Sequence, residues 1–200
     1  SFPAEFPKKP KRSHPLLDDL FKQVADKVEG LYTHWFLGQL GQNWSDACAD
    51  DLEKYGHILE VPQQTDFYAH KVASSGNRVF VIVSDAFRYE VAVSLAEDLQ
   101  REMQCTVSLG SCEGLFPTVT KFGMAALLPH KKLEVKSRTD GDLAVLADGE
   151  PTDAGYRDKL LKKANPASVA LKYEDILLLK RQERQALVKG MSVVYIYHDT

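Results

Sequence analysis

The chain has 200 residues, 44% of them apolar and 26% charged, with a formal net charge of −3. These are the values of an ordinary soluble globular protein with room for one cored domain and a smaller appendage, and the charge supplies no overall pull toward nucleic acid. Three cysteines, Cys48, Cys105 and Cys112, contain no CxxC pair, which excludes a disulfide framework and a zinc ribbon and fits a reducing, cytoplasmic setting.

Residues 1–14, within SFPAEFPKKPKRSHP, are expected to be a proline- and lysine-rich linker. The basic run at 8–12 is expected to be solvated, though it leaves nucleic acid open as a partner. Residues 15–76 are expected to be a helical extension. PLLDDLFKQVADKVEGLYTHWFLGQL spaces Leu17, Leu20, Phe21, Val24, Val28, Leu31 and Trp35 by three and four residues. Pro15 suits the first turn, and Asn43 or Ser45 is expected to cap a second helix over WSDACADDLEKY.

From Arg78 the pattern changes to alternating strands and helices. VFVIV at 79–83 predicts a buried strand, followed by a helix whose Val91, Leu95, Leu99 and Met103 should face inward. CTVSLG at 105–110 predicts a second strand, and residues 119–128 a short helix ended by Pro129. LEVKSR and LAVLA suggest a hairpin with turns at Asp140-Gly141 and Asp148-Gly149. Residues 155–164 should be helical, VALKYEDILLL and KRQERQALVKG one or two further helices, and SVVYIYHD a strand. The expected fold is therefore α/β, with a mainly parallel sheet and helices on both faces over residues 77–200. The chain starts on Ser1 and stops just past a strand, so it reads as a fragment whose core continues beyond Thr200. No stretch reaches the apolar length of a membrane span and no signal peptide is visible.

In open α/β sheets, ligands gather at the carboxyl ends of the strands. Three groups fall there: Asp85, the pair Thr118 and Thr120, and the pair His198 and Asp199. A carboxylate, a helix-start hydroxyl and a His/Asp pair are the makeup of a metal-dependent phosphate or sulfate ester hydrolase. Carboxylates and imidazoles hold divalent ions, and the ion acidifies a hydroxyl and neutralises ester oxygens. A threonine at a helix start sits near N–H groups suited to an anion, and it can attack to form a covalent intermediate. Plainer readings stand beside these. Asp85 would cap the next helix, Thr118 or Thr120 would be simple N-caps, and His198-Asp199 would be a surface turn. Cys105 and Cys112 are expected to be buried apolar residues, and His130 to be exposed or a partner of a helix C-terminus.

VFVIVSDAFRYEVAVSLAEDL, GLFPTVTKFGMAALLPH and VVYIYHD, in that order and at similar spacing, resemble the PglZ domain of the alkaline phosphatase superfamily. That domain occurs in the phosphatase-like component of bacterial BREX phage-resistance systems. YTHWFLGQL and Trp44 resemble the segment preceding it, so the likeness covers most of residues 30–200. The resemblance implies an alkaline-phosphatase-like core with a helical extension in front. It assigns Asp85 to metal, Thr120 to the nucleophile and to metal, and Thr118 to support of the turn and to substrate. His198 and Asp199 become later metal ligands, and Arg88 a contact to the substrate phosphate. SDAFR resembles the Asp-Gly-Phe-Arg sequence of phosphodiesterase branches, with Ala86 in place of the glycine. The cofactors implied are two divalent ions, commonly zinc, or manganese, with further ligands after Thr200. The activity implied is phosphoester hydrolysis, a phosphodiester being favoured and oligonucleotides included, with other defence-system proteins as partners. The competing expectation is a non-catalytic scaffold that binds through Tyr32, Trp35, Phe36 and Trp44.

Overall fold

A computed structural model of the chain describes residues 15–139 and 141–198. The chain divides into two compact units, Ser1–Leu59 and Glu60–Thr200. The predicted linker at 1–14 lies outside the described residues.

Within the first unit, residues 15–55 form one unbroken helical run: α1 (Pro15–Gly30), a π-helical stretch (Leu31–Leu37) and α2 (Gly38–Tyr55). The break expected at Asn43 or Ser45 does not exist. Gly30, Leu37 and Gly38 all keep right-handed helical dihedrals, so both candidate caps are interior residues. The run ends where Gly56 turns left-handed at φ 75° and its N–H donates to Leu52 O. Only a residue without Cβ enters that conformation at no steric cost, which makes glycine the usual stop.

The second unit is α/β. Three parallel strands pair in the order β1 (Val79–Ser84), β6 (Val193–His198), β5 (Ser168–Lys172). An antiparallel sheet follows the order β2 (Leu133–Ser137), β3 (Leu143–Ala147), β4 (Glu150–Pro151). The helices are α3 (Tyr89–Glu102), α4 (Thr120–Ala126), α5 (Ala154–Ala164), α6 (Tyr173–Leu177) and α7 (Arg181–Val188). The β3–β4 turn is Asp148-Gly149, with φ of 50° and 83°. Two consecutive positive φ values twist with the strands, which is why Asp-Gly suits this turn. Asp140 lies outside the described residues.

Three expectations change. CTVSLG is irregular, because β-propensity makes a strand only where a neighbour offers a ladder, and the pairing near it is the single bridge Gln63↔Glu113. VALK, expected in a helix, is β5. It fills the slot beside β6 in register Ser168↔Val193, and Asp158 Oδ1 accepts the Ala170 N–H at 2.9 Å. α3 has no buried residue, so Val91, Leu95 and Met103 stay exposed. Helical period selects a face, but burial requires something packed on it.

The main apolar cluster lies on one face of the parallel sheet. Val81, Val193, Tyr195 and Tyr197 meet Met124 and Leu128 near α4 and Leu160 and Leu161 of α5. A smaller cluster joins Phe122 and Ala125 to Val145 of β3. α4 is thus wedged between the two sheets, with apolar residues on both sides. Val72 belongs to the main cluster, so part of the 60–76 segment packs with the second unit.

Candidate functional site

β1 delivers Asp85 to the carboxyl edge of the parallel sheet. The ladder continues one step past the strand, because the Asp85 N–H donates to His198 O at 3.2 Å. The chain then turns sharply at Ala86, whose φ is 55°. That left-handed conformation costs an L-residue about 1–2 kcal/mol and costs glycine almost nothing. Ala86 therefore stands where the backbone itself favours glycine. The turn is held by the Ala86 N–H donating to Asp85 Oδ1 at 3.0 Å.

α4 delivers Thr120. Its N-cap residue is Val119, with no side-chain cap, so neither threonine plays the plain capping role. Nor does Asp85, because the N-cap of α3 is Arg88. Instead the Thr120 hydroxyl donates to Asp85 Oδ2 at 3.0 Å, across 35 residues of sequence. Three contacts hold α4 in place. Its apolar residues join both clusters. The fully buried Tyr195 donates from its hydroxyl to Leu127 O at 2.8 Å, fixing the helix end from the middle of β6. Lys121 Nζ donates to Asp142 Oδ1 and Leu143 O at 2.7 and 2.8 Å, tying the first turn to the β2–β3 loop. The Lys121 hydrogen bond also holds the Asp142 carboxyl below its ordinary pKa of 3.8.

Between these elements opens a cleft of about 300 Å³, lined by Gln64, Ser84, Asp85, Thr118 and Thr120 among others. The cleft thus gathers Asp85, Thr118 and Thr120. His198, level with Ser84 on the neighbouring strand, does not line it. Its Nδ1 lies 3.2 Å from Ser84 Oγ and its ring stands edge-on to Tyr173. Arg88 is exposed and pairs with Glu90 at 3.7 Å. Asp199 lies outside the described residues. Cys105 and Cys112 are exposed rather than buried, because the segment that carries them is irregular surface chain. His130, half-buried just past α4, lies 2.7 Å by Nδ1 from Leu128 O, as a partner of a helix end does.

A carboxylate and a hydroxyl 3.0 Å apart are hard oxygen donors of the kind divalent ions accept. Among the described residues no group of three or more His, Cys, Asp or Glu is arranged to hold a metal ion. Asp85 and Thr120 together supply two oxygen donors, fewer than the four ligands a protein metal centre takes. Sequence reasoning assigned no role to Gln64, Ser84, Tyr195 or Lys121. Only Tyr195 carries a signal, as an aromatic residue in a buried strand whose hydroxyl must find a partner.

Among the described residues no helix is long and apolar enough to cross a membrane. No solved structure matches the chain. Two curated relatives are similar along most of it. The alkaline phosphatase-like protein BrxZ of Escherichia coli O9:H4 (strain HS) is 39% identical over 188 residues, 90% of this chain and 21% of that protein. The alkaline phosphatase-like protein PglZ of Bacillus cereus (strain H3081.97) is 34% identical over 184 residues, again 90% of this chain and 21% of the relative. The chain thus spans about a fifth of the length of these relatives. Residues 66–200 match the family described as the BREX system PglZ alkaline phosphatase-like domain, and the chain belongs to that family.

Proposed function

We propose that the intact protein is a cytoplasmic, metal-dependent phosphoester hydrolase of a bacterial phage-defence system, with phosphodiesters, including those of oligonucleotides, as its substrates. Thr120 is the nucleophile, and Asp85 with Thr120 forms one side of a centre for two divalent ions, zinc or manganese. His198, Asp199 and residues beyond the described ones complete it. The observation that carries this reading is the 3.0 Å hydrogen bond from the Thr120 hydroxyl to Asp85. It draws a candidate nucleophile out of helix capping and onto the one carboxylate at the end of β1.

When bound, a divalent ion at this place lowers the pKa of a hydroxyl and offsets charge on ester oxygens. The chain's own residues do the rest. Asp85 accepts the hydrogen bond from the Thr120 hydroxyl and so aims that oxygen; as it bonds to phosphorus the ester P–O bond breaks and the departing alcohol carries a proton away, and water then frees the phosphoryl group from Thr120. Thr118 shapes the wall of the cleft, and Ser84 links the cleft to His198. Arg88, released from its exposed pair with Glu90, reaches an ester oxygen. Such a surface ion pair is worth little, so a phosphate competes with it readily.

The test is hydrolysis of bis-p-nitrophenyl phosphate by the intact protein with zinc or manganese, beside Thr120→Ala. The parent is expected to turn over, and the variant to lose a factor of 100 or more (roughly, for a lost nucleophile). Equal rates in the two would end the assignment.

A second reading has its own observation. Tyr32, Trp35, Phe36 and Trp44 are all exposed on the helical run. Aromatic residues on an open helix face are what a protein partner buries. Under this reading the chain is a scaffold for other defence proteins. It is supported if the intact protein binds no zinc or manganese.

A further inference from the structure

Gln64 lies two residues ahead of the stretch that matches the family, 66–200, and it lines the cleft with Asp85 and Thr120. Its backbone is held against the loop that precedes α4. The Gln64 N–H donates to Glu113 O at 2.9 Å, and the Glu113 N–H donates to Pro62 O at 2.8 Å. Its side chain then straddles the turn that carries Thr120. Oε1 accepts the Leu115 N–H at 3.1 Å, on the way into the turn. Nε2 donates to Gly123 O at 3.4 Å, inside α4. A Cβ at Gly123 would lie 3.4 Å from Nε2 and 3.8 Å from Oε1, in ordinary contact with the carboxamide.

We propose that Gln64 is a positioning residue: its carboxamide ties the loop at Leu115 to α4 at Gly123, and so sets the Thr120 hydroxyl against Asp85. The inference rests on Thr120 being the nucleophile and adds the device that aims it. The chemistry needs a carboxamide at this length. Gln offers one acceptor and two donors, an ionised carboxylate offers acceptors only, and a thioether offers no donor. A protonated carboxyl again offers one of each.

The experiment compares the parent with Gln64→Met and Gln64→Glu, using the zinc-loaded intact protein and bis-p-nitrophenyl phosphate. Backbone amide exchange is measured on the same proteins without metal. In Gln64→Met the expected loss is roughly 10- to 100-fold in kcat with KM unchanged, the cost of a misaimed reacting group. Exchange at the Leu115 N–H should quicken while β1 and β6 keep their protection. In Gln64→Glu the activity relative to the parent should recover as pH falls and the introduced carboxyl takes a proton, restoring one donor and one acceptor. Unchanged exchange at Leu115 in Gln64→Met overturns the proposal whatever the activity does. Quickened exchange with parental kcat overturns it too, leaving only a structural tie. A parent without hydrolysis defeats the hydrolase reading instead, and the exchange result then decides by itself whether Gln64 holds the turn.

Discussion

Val81 and Ile82 are adjacent on β1, and their fates are opposite: Val81 is 7% exposed and Ile82 70%. Both are β-branched and strongly apolar, and both belong to an uninterrupted VFVIV run. On the Val81 face, α4 and α5 close over the sheet and a continuous core forms with Tyr195 and Leu161. On the other face Phe80 is also exposed, though it lines a pocket with Ile196 and Leu187. Continuous apolar runs are the signature of parallel strands buried on both sides. Within the second unit, the described residues cover one side of β1 and leave Phe80 and Ile82 on the other exposed. The covered side is the one that holds α4, and α4 holds Thr120, so the candidate site depends on one face only.

Three substitutions probe that asymmetry. The largest effect is expected from Leu161→Ala, at a side chain with no exposure in the centre of the covered face. It should cost about 2–5 kcal/mol, lost transfer energy plus the cavity left behind, read from denaturant midpoints. Tyr195→Phe removes one hydroxyl and leaves the Leu127 carbonyl without its donor. A cost of about 1 kcal/mol is expected from one lost hydrogen bond in a packed interior. Since that bond fixes the end of α4, the exchange of α4 amides should rise more than that of β1. Ile82→Thr, on the open face, should change stability by less than about 0.5 kcal/mol. A larger cost would mean that something covers this face in solution, and a loss that scales with protein concentration would identify it as a second copy.

Much of the fold was legible because its causes are local. The β-forming runs at 79–83 and 193–198 are strands, and Asp148-Gly149 makes its tight turn through two positive φ values. The helix at 119–128 is present as α4 with an N-terminus at Thr120. The failures share a cause as well. VALK carries a pattern compatible with a helix and became a strand because the edge of β6 was free to pair with it. CTVSLG has the composition of a strand and found no ladder. α3 has an apolar stripe of which no residue is buried.

The candidate site divides in the same way. Asp85 and Thr120 could be singled out because one ends a strand, the other enters a helix, and both lie within family-like blocks. Gln64 could not, because nothing local in VPQQTD marks a side chain that reaches Leu115 and Gly123. By itself the sequence determined which segments favour extended or helical backbone and which residue types could do chemistry, since these follow from sterics, periodicity and side-chain functional groups over a few residues. Only the tertiary structure decided that Ser84 lies level with His198, that Thr120 meets Asp85, and that one face of β1 is covered. Pairing and burial are set by segments tens of residues apart closing on one another, and no local pattern encodes that choice.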